Sequence, residues 1–211
     1  MPPKVIVTGA LPRFWGQLGT GSPTAGADCG VLSTIHALEF ASSNRLGPRM
    51  KTGVKNHVAK MRSRMTPQPF WPATNITNQE EALESPLTTV EMVAAGSSEV
   101  NARKFLPGTP EMLVEELTKG RWVNLAISYA WINDNAPVIS GDSLFRGDHM
   151  IGMVGIAMDK RARYWTTEYD PLHDGRRAGI PKGPKVVLLD SLISAAVARG
   201  TFSFLSVRRS R

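Results

Sequence analysis

The periodicity of apolar residues changes near Gly120, from mostly helical to mostly β-like, and that change constrains the fold more than any other feature. Before it, the recurring pattern is helical. Val31 to Ser42 places Leu32, Ile35, Leu38 and Glu39 at i, i+3, i+6 and i+7, mostly one apolar face. Val54 to Met65 reads as a basic helix, and Thr88 to Ala95 as a short one. Thr109-Pro110-Glu111 opens another, with Thr as cap, Pro at the first helical position and Glu in the first turn. That helix should run to about Lys119 and stop at Gly120. The segment Thr66 to Asn78, holding Pro67, Pro69 and Pro72, reads as a loop. After Gly120 the runs turn β-like. Trp122 to Tyr129 and His149 to Ala157 are apolar enough to be buried strands, and Tyr164 to Tyr169 alternates. Lys185 to Leu189 begins a strand or leads into a helix through Ala198, and Phe202 to Val207 is the last strand. One short β-type run, Lys4 to Thr8, precedes all of these. Helices early and strands late predict an α+β architecture. The length of 211 residues suits one domain spanning residues 1–211, with two small domains the lesser alternative.

Composition narrows the function classes. One cysteine in the whole chain rules out an internal disulfide framework and a cysteine-rich zinc site. No apolar run approaches a membrane span, and the N-terminal apolar stretch is too short for a signal peptide, so synthesis in the cytoplasm is expected. The net charge of +7 favours anionic partners. Arg45, Arg49, Lys51, Lys55, Lys60, Arg62 and Arg64 fall within one stretch that has no acid, so the segment 45–64 is expected to be a solvated basic face or to meet an anionic surface. Smaller clusters are Lys160-Arg161-Arg163, Arg176-Arg177 and Arg208-Arg209-Ser210-Arg211. No DNA- or RNA-binding motif accompanies the charge. Polar tails are usually disordered unless tied down. The arginine-rich end is therefore expected to be held by another copy of the chain or by neighbours in a larger assembly.

The single cysteine is also the strongest chemical signal. Cys29 lies in Asp28-Cys29-Gly30-Val31, after the loop Gly19 to Ala27 and at the start of an apolar helix. At a helix N-terminus the unpaired N–H groups and the macrodipole favour a thiolate. A thiolate is a useful nucleophile near neutral pH. The plain alternative is a buried cysteine acting as a small hydrophobe. A base must come from four histidines: His36, His57, His149 and His173. His149 begins an apolar β-run, where its ring can face a cleft. Tyr169-Asp170-Pro171 ends the next strand. If these two strands are antiparallel neighbours, Asp170 falls near His149 and can fix its tautomer. The plain alternative for Asp170-Pro171 is a turn.

These elements occur in an order that resembles the C39-like branch of papain-fold cysteine peptidases. The shared set is Cys29-Gly30 at a helix start, a helix followed by Gly120-Arg121-Trp122-Val123 entering a strand, His149 opening Met150 to Gly155, and Asp170-Pro171 after a strand. The resemblance spans roughly Gln17 to Ala196. It implies a helix carrying the cysteine packed on an antiparallel sheet carrying the histidine and aspartate. It also implies Cys29 as nucleophile, His149 as base, Asp170 as orienter and Gln17 as an oxyanion donor. The implied activity is cleavage of a peptide or peptidoglycan amide bond, with no metal or other cofactor. The segment from Arg45 to about Pro86 has no clear counterpart and reads as a basic helical and loop insertion. The sequence shows no sign of the transporter that often accompanies such peptidases, so a free-standing member is expected, with a phage virion component as one such setting. The rival reading is a non-catalytic structural or interaction protein of a phage tail or connector on the same fold, with virion proteins or copies of itself as partners. A basic nucleic-acid-associated protein is a third.

Other residues take plain readings. His36 shares a helix with Cys29 two turns on, too far to be its base, and reads as a packed or surface histidine. His57 belongs to the basic face. His173 and Asp174 near Asp170 suggest a metal site only by residue type, since no ligand spacing is diagnostic. Asn75-Ile76-Thr77 matches a glycosylation acceptor, idle without a secretory signal. The loop Gly19 to Gly26 lacks the Gly-Lys-Ser/Thr ending of a phosphate loop.

Overall fold

The structure, a computed structural model, describes residues 2–7, 9–17, 20, 22–46, 53–65, 74–173 and 182–210. Helices within these residues are Cys29–Ala41 (α1), Val54–Arg64 (α2), Ile76–Glu84 (α3), Pro86–Ala94 (α4), Pro110–Thr118 (α5), Tyr129–Asn135 (α6) and Leu189–Ala198 (α7). Strands are Asn101–Phe105 (β1), Trp122–Ser128 (β2), Asp148–Met158 (β3), Tyr164–Tyr169 (β4), Lys185–Leu188 (β5) and Phe204–Arg208 (β6). They form one sheet in the order β1-β6-β2-β3-β4-β5. Every neighbouring pair is antiparallel. The α+β expectation is met as a mixed arrangement of helices and antiparallel sheet.

The sheet is buried on both faces, which is why its central strands read as continuous apolar runs. Successive strand residues face opposite ways. Trp122 and Ala126 of β2, with Met150 and Val154 of β3, enter the core beneath α1. Val123, Leu125 and Ile127, with Ile151 and Met153, enter the core on the other face, with residues of α5, α6 and α7. α1 is more deeply set than its pattern suggests. Gly30 through Ala41 are all buried, including Ser33, Thr34, His36 and Glu39. One side of α1 lies on β2 and β3, while α2 and α3 cover it elsewhere.

Several expectations are revised. Lys4 to Val7 has no strand pairing. It lies instead across a bulge in β3, where Gly155 takes a φ of +72° and a Cβ would meet Val5 at 2.8 Å and Val7 at 2.9 Å. Thr8 lies outside the described residues. The expected loop from Thr66 to Asn78 ends sooner, because α3 begins at Ile76; residues 66–73 lie outside the described residues. Asn75 makes a reciprocal capping box with Asn78, a start signal read as part of a loop. Strand β1 carried no sequence signal, since Asn101-Ala102-Arg103-Lys104-Phe105 is mostly polar and lies at a sheet edge. Lys185 to Ala198 is both things: strand β5, then helix α7.

The basic segment is not simply a solvated face. Arg62 bonds the buried carboxylate of Asp28, and Arg64 pairs with Glu91 at 2.8 Å. Arg49 and Lys51 lie outside the described residues, as do Arg176, Arg177 and Arg211. The described part of the arginine-rich end makes contacts with its own chain. The Arg209 guanidinium sits 4.3 Å over the Phe40 ring and donates to Ala10 O at 3.0 Å. Ser210 N–H donates to Ala41 O at 2.9 Å. No helix among the described residues is long and apolar enough to cross a membrane.

Candidate active site

Cys29 is the first residue of α1, and the helix is docked so that this residue meets the start of β3. The Ser33 hydroxyl donates to Met150 O at 3.1 Å, pinning the first turns of α1 to that strand. Cys29 and His149 line the same cleft, and the His149 ring with the backbone N–H groups of Gly30 and Met150 acts on the thiol. His149 opens β3, where it pairs with Ile127 of β2. On the other side β3 pairs with β4, with Gly152 opposite Tyr169. Continuing that register one step brings Asp170 diagonal to His149. His149 Nε2 lies 2.7 Å from Asp170 Oδ1, leaving Nδ1 for the sulfur.

The environment polarises this row. Burial opposes charge on the His149 ring, but the Asp170 carboxylate and its hydrogen bond, with Cys29 on the other side, hold its pKa up at about 10. Burial likewise disfavours the Cys29 thiolate. The hydrogen bond and charge of His149, helped by Met150 and Gly30 N–H, outweigh that and lower the thiol from its ordinary 9.0. Burial would raise Asp170, yet His149 and the Leu172 N–H, with His173 nearby, hold it well below the usual carboxylate range. The arrangement suits a thiolate–imidazolium pair oriented by a carboxylate.

Gln17 stands differently. It is buried, and its backbone N–H donates to Pro171 O at 2.7 Å, which fixes it beside the residue that follows Asp170. Its side-chain Oε1 has no hydrogen-bond partner. His149 and Asp170 are thus hydrogen-bonded and share a cleft with Cys29, while Gln17 is tied to this group through backbone.

A cleft of about 760 Å³ opens over Cys29 and His149. Its walls include Thr74 to Asn78 at the start of α3, Phe145 and Leu106. Arg199, ion-paired with Asp148 at 2.8 Å, also lines it. Phe145 sits 5.7 Å from the His149 ring. Sequence reasoning did not single out these walls, because they come from connections between elements and from both halves of the chain. It also missed Tyr129, whose hydroxyl donates to Asp170 Oδ2 at 2.7 Å. A tyrosine closing an apolar β-run looks like core, and nothing in its sequence context marks that bond.

The remaining histidines are placed by packing. His36 is fully buried, stacks on Phe14 at 5.6 Å and accepts the Trp15 N–H at 2.9 Å. Burial pushes its pKa down to about 3 despite that bond. His173 is buried with Nε2 3.0 Å from Ile139 O and 3.3 Å from Lys185 Nζ. Asp174 lies outside the described residues. Among the described residues no three His, Cys, Asp or Glu side chains gather to hold a metal. Behind Asp170, the buried Glu168 is pushed well above the usual carboxylate range by burial and by the Asp170 charge.

No family model and no curated protein matches the chain. Among solved structures it is similar to a Bacillus anthracis protein provisionally described as a C39-like peptidase. The two are 14% identical with a TM-score of 0.49, over 99% of this chain and 100% of that one.

Proposed function

We propose that residues 1–211 form a single papain-like domain that hydrolyses an amide bond of a peptide or of cell-wall peptidoglycan. The Cys29 thiolate attacks the carbonyl carbon. His149 gives its proton to the leaving amine as the C–N bond breaks, leaving a thioester on Cys29. Water, deprotonated by His149, then adds to the thioester, the acid product leaves as the C–S bond breaks, and the Cys29 thiolate is restored beside the protonated His149. Asp170 holds the imidazole in the required tautomer and stabilises it when charged. The Cys29 backbone N–H and the Gln17 amide are the donors for the oxyanion.

The observation that carries this reading is the His149 ring held by Asp170 at 2.7 Å while it shares one cleft with Cys29, whose thiol pKa it lowers. The test is the pH dependence of Cys29 alkylation by iodoacetamide, read by intact mass, in wild type and His149→Ala. Since Cys29 is the one cysteine of the chain, the added mass reports it alone. The expected result is fast labelling well below the ordinary thiol range, lost in the variant. Slow labelling that is the same in both would sink the reading.

A further inference from the structure

Asp170 has two oxygens, and they are held differently. Oδ1 takes His149 Nε2 at 2.7 Å and the Leu172 N–H at 2.8 Å. Oδ2 takes the Tyr129 hydroxyl at 2.7 Å, while His173 Nε2 stands further off at 3.5 Å. Without the hydroxyl, Oδ2 would be left facing only His173 Nε2 at 3.5 Å. Tyr129 is itself fixed. It is 1% exposed, and its ring stands edge-on to His149 at 4.9 Å and to Phe145 at 5.6 Å. The hydroxyl oxygen also accepts the backbone N–H of Gly141. A Cβ on Gly141 would lie 2.5 Å from the His173 ring and 3.0 Å from Leu172 backbone, so a glycine is needed for that approach. One phenol oxygen therefore joins the acid of the row to the 140–145 loop, whose Phe145 walls the cleft.

We propose that Tyr129 is a positioning residue, its hydroxyl holding Asp170 so that Oδ1 stays on His149. The proposal rests on the Cys29–His149–Asp170 reading above. The hydroxyl is well placed for the task, because a hydrogen bond to a buried charged group is about twice as strong as one between neutral groups. The loop has a second anchor that does not involve Asp170: Asn133 Nδ2 donates to the carbonyls of Asp142 at 3.1 Å and Phe145 at 2.7 Å. Loop anchoring and acid positioning can thus be separated by substitution.

The experiment is the same alkylation profile in four variants: Tyr129→Phe, Asn133→Ala, Asp170→Asn and Tyr129→Phe/Asp170→Asn, with His149→Ala as reference. In Tyr129→Phe the acid limb should move up by about one pH unit, roughly tenfold slower labelling near pH 6, the scale of a lost charge-assisted hydrogen bond. Asn133→Ala should leave the limb in place, and the double variant should match Asp170→Asn alone. A Tyr129→Phe profile that overlays wild type overturns the proposal. So does a Tyr129→Phe shift that persists undiminished on Asp170→Asn. If His149→Ala abolishes low-pH labelling while Tyr129→Phe does nothing, Tyr129 alone is wrongly assigned. If neither changes it, both readings fall. Should the Phe variant fail to fold, fluorotyrosine labelling of the unmutated chain, which has three tyrosines, gives a second measurement. The Tyr129 fluorine signal should titrate together with the alkylation profile, and a signal flat across that range overturns the proposal.

Discussion

Glu39 and His36, one turn apart on α1, show how a single residue's burial sets its chemistry. Both are fully buried, and neither Glu39 oxygen makes a hydrogen bond of good geometry. Burial pushes the Glu39 carboxyl from 4.5 up to about 6, tempered by nearby Arg13 and the Trp15 indole. The folded protein therefore keeps a proton that the unfolded chain has released between those values. Stability from this group rises as pH falls through the window, by about 2 kcal/mol in all. His36 acts in the opposite sense. Its folded value of about 3 lies below the ordinary 6.5, so stability is lost as pH falls below 6.5. From pH 6 to 4.5 the two contributions oppose each other. Glu39→Gln removes one of them. The variant should be more stable than wild type at pH 7 by about 1–2 kcal/mol, and should lose that advantage by pH 4.5. Urea midpoints at the two pH values check this, and an advantage equal at both would show that Glu39 is not the titrating group. The sequence marks both residues only as members of a helix with Cys29. Their burial comes from the N-terminal segment laid over them, which has no periodicity to announce it.

At the scale of elements, the cysteine helix is held in place by a neighbour that reads as a charged surface. Arg62 of α2 reaches the carboxylate of Asp28, the residue before Cys29, and also Ala27 O at 3.3 Å. The Asp28 side chain is 0% exposed and that of Arg62 17%, so the pair is largely out of water. Removing one partner of such a pair leaves a buried charge behind. Arg62→Met should cost about 3 kcal/mol in denaturant unfolding, and adding Asp28→Asn should restore a large part of it. Equal stability of Arg62→Met and wild type would return this contact to the status of a surface ion pair. The pattern around Thr109 and Gly120 made α5 legible: Thr109 caps the Met112 N–H at 3.3 Å, and Gly120 takes a φ of +71°. Local chemistry sufficed there. It did not suffice for α2, whose basic residues find their acids on other elements, Asp28 and Glu91.

Over the whole molecule, Arg209 and Ser210 pack on the far end of α1 from Cys29, beside Ala10. Arg209 stacks over Phe40 and bonds Ala10 O and Ser43 Oγ, and Ser210 bonds Ala41 O and Ser98 O. Deleting residues 209–211 should cost about 2 kcal/mol and lower the Tm by roughly 5 °C, from one cation–π contact and a few hydrogen bonds. An unchanged Tm would mean that this end contributes nothing to the fold and needs an outside hold after all. Strands and helices whose own residues carry the signal can be read from the chain alone. Burial on both faces writes β2 and β3 as apolar runs, and a cap and a glycine write α5. The chain alone also shows which side chains have the chemistry to act, because only one cysteine and four histidines exist. Folding alone brings β3 and β4 together so that Asp170 lies 2.7 Å from His149, carries Cys29 on α1 to the same cleft, and lets Tyr129 reach the second oxygen of Asp170. Local periodicity reports which way a residue faces. The distance between residues far apart in the chain is set by strand register and helix docking, which arise from packing the whole sequence at once.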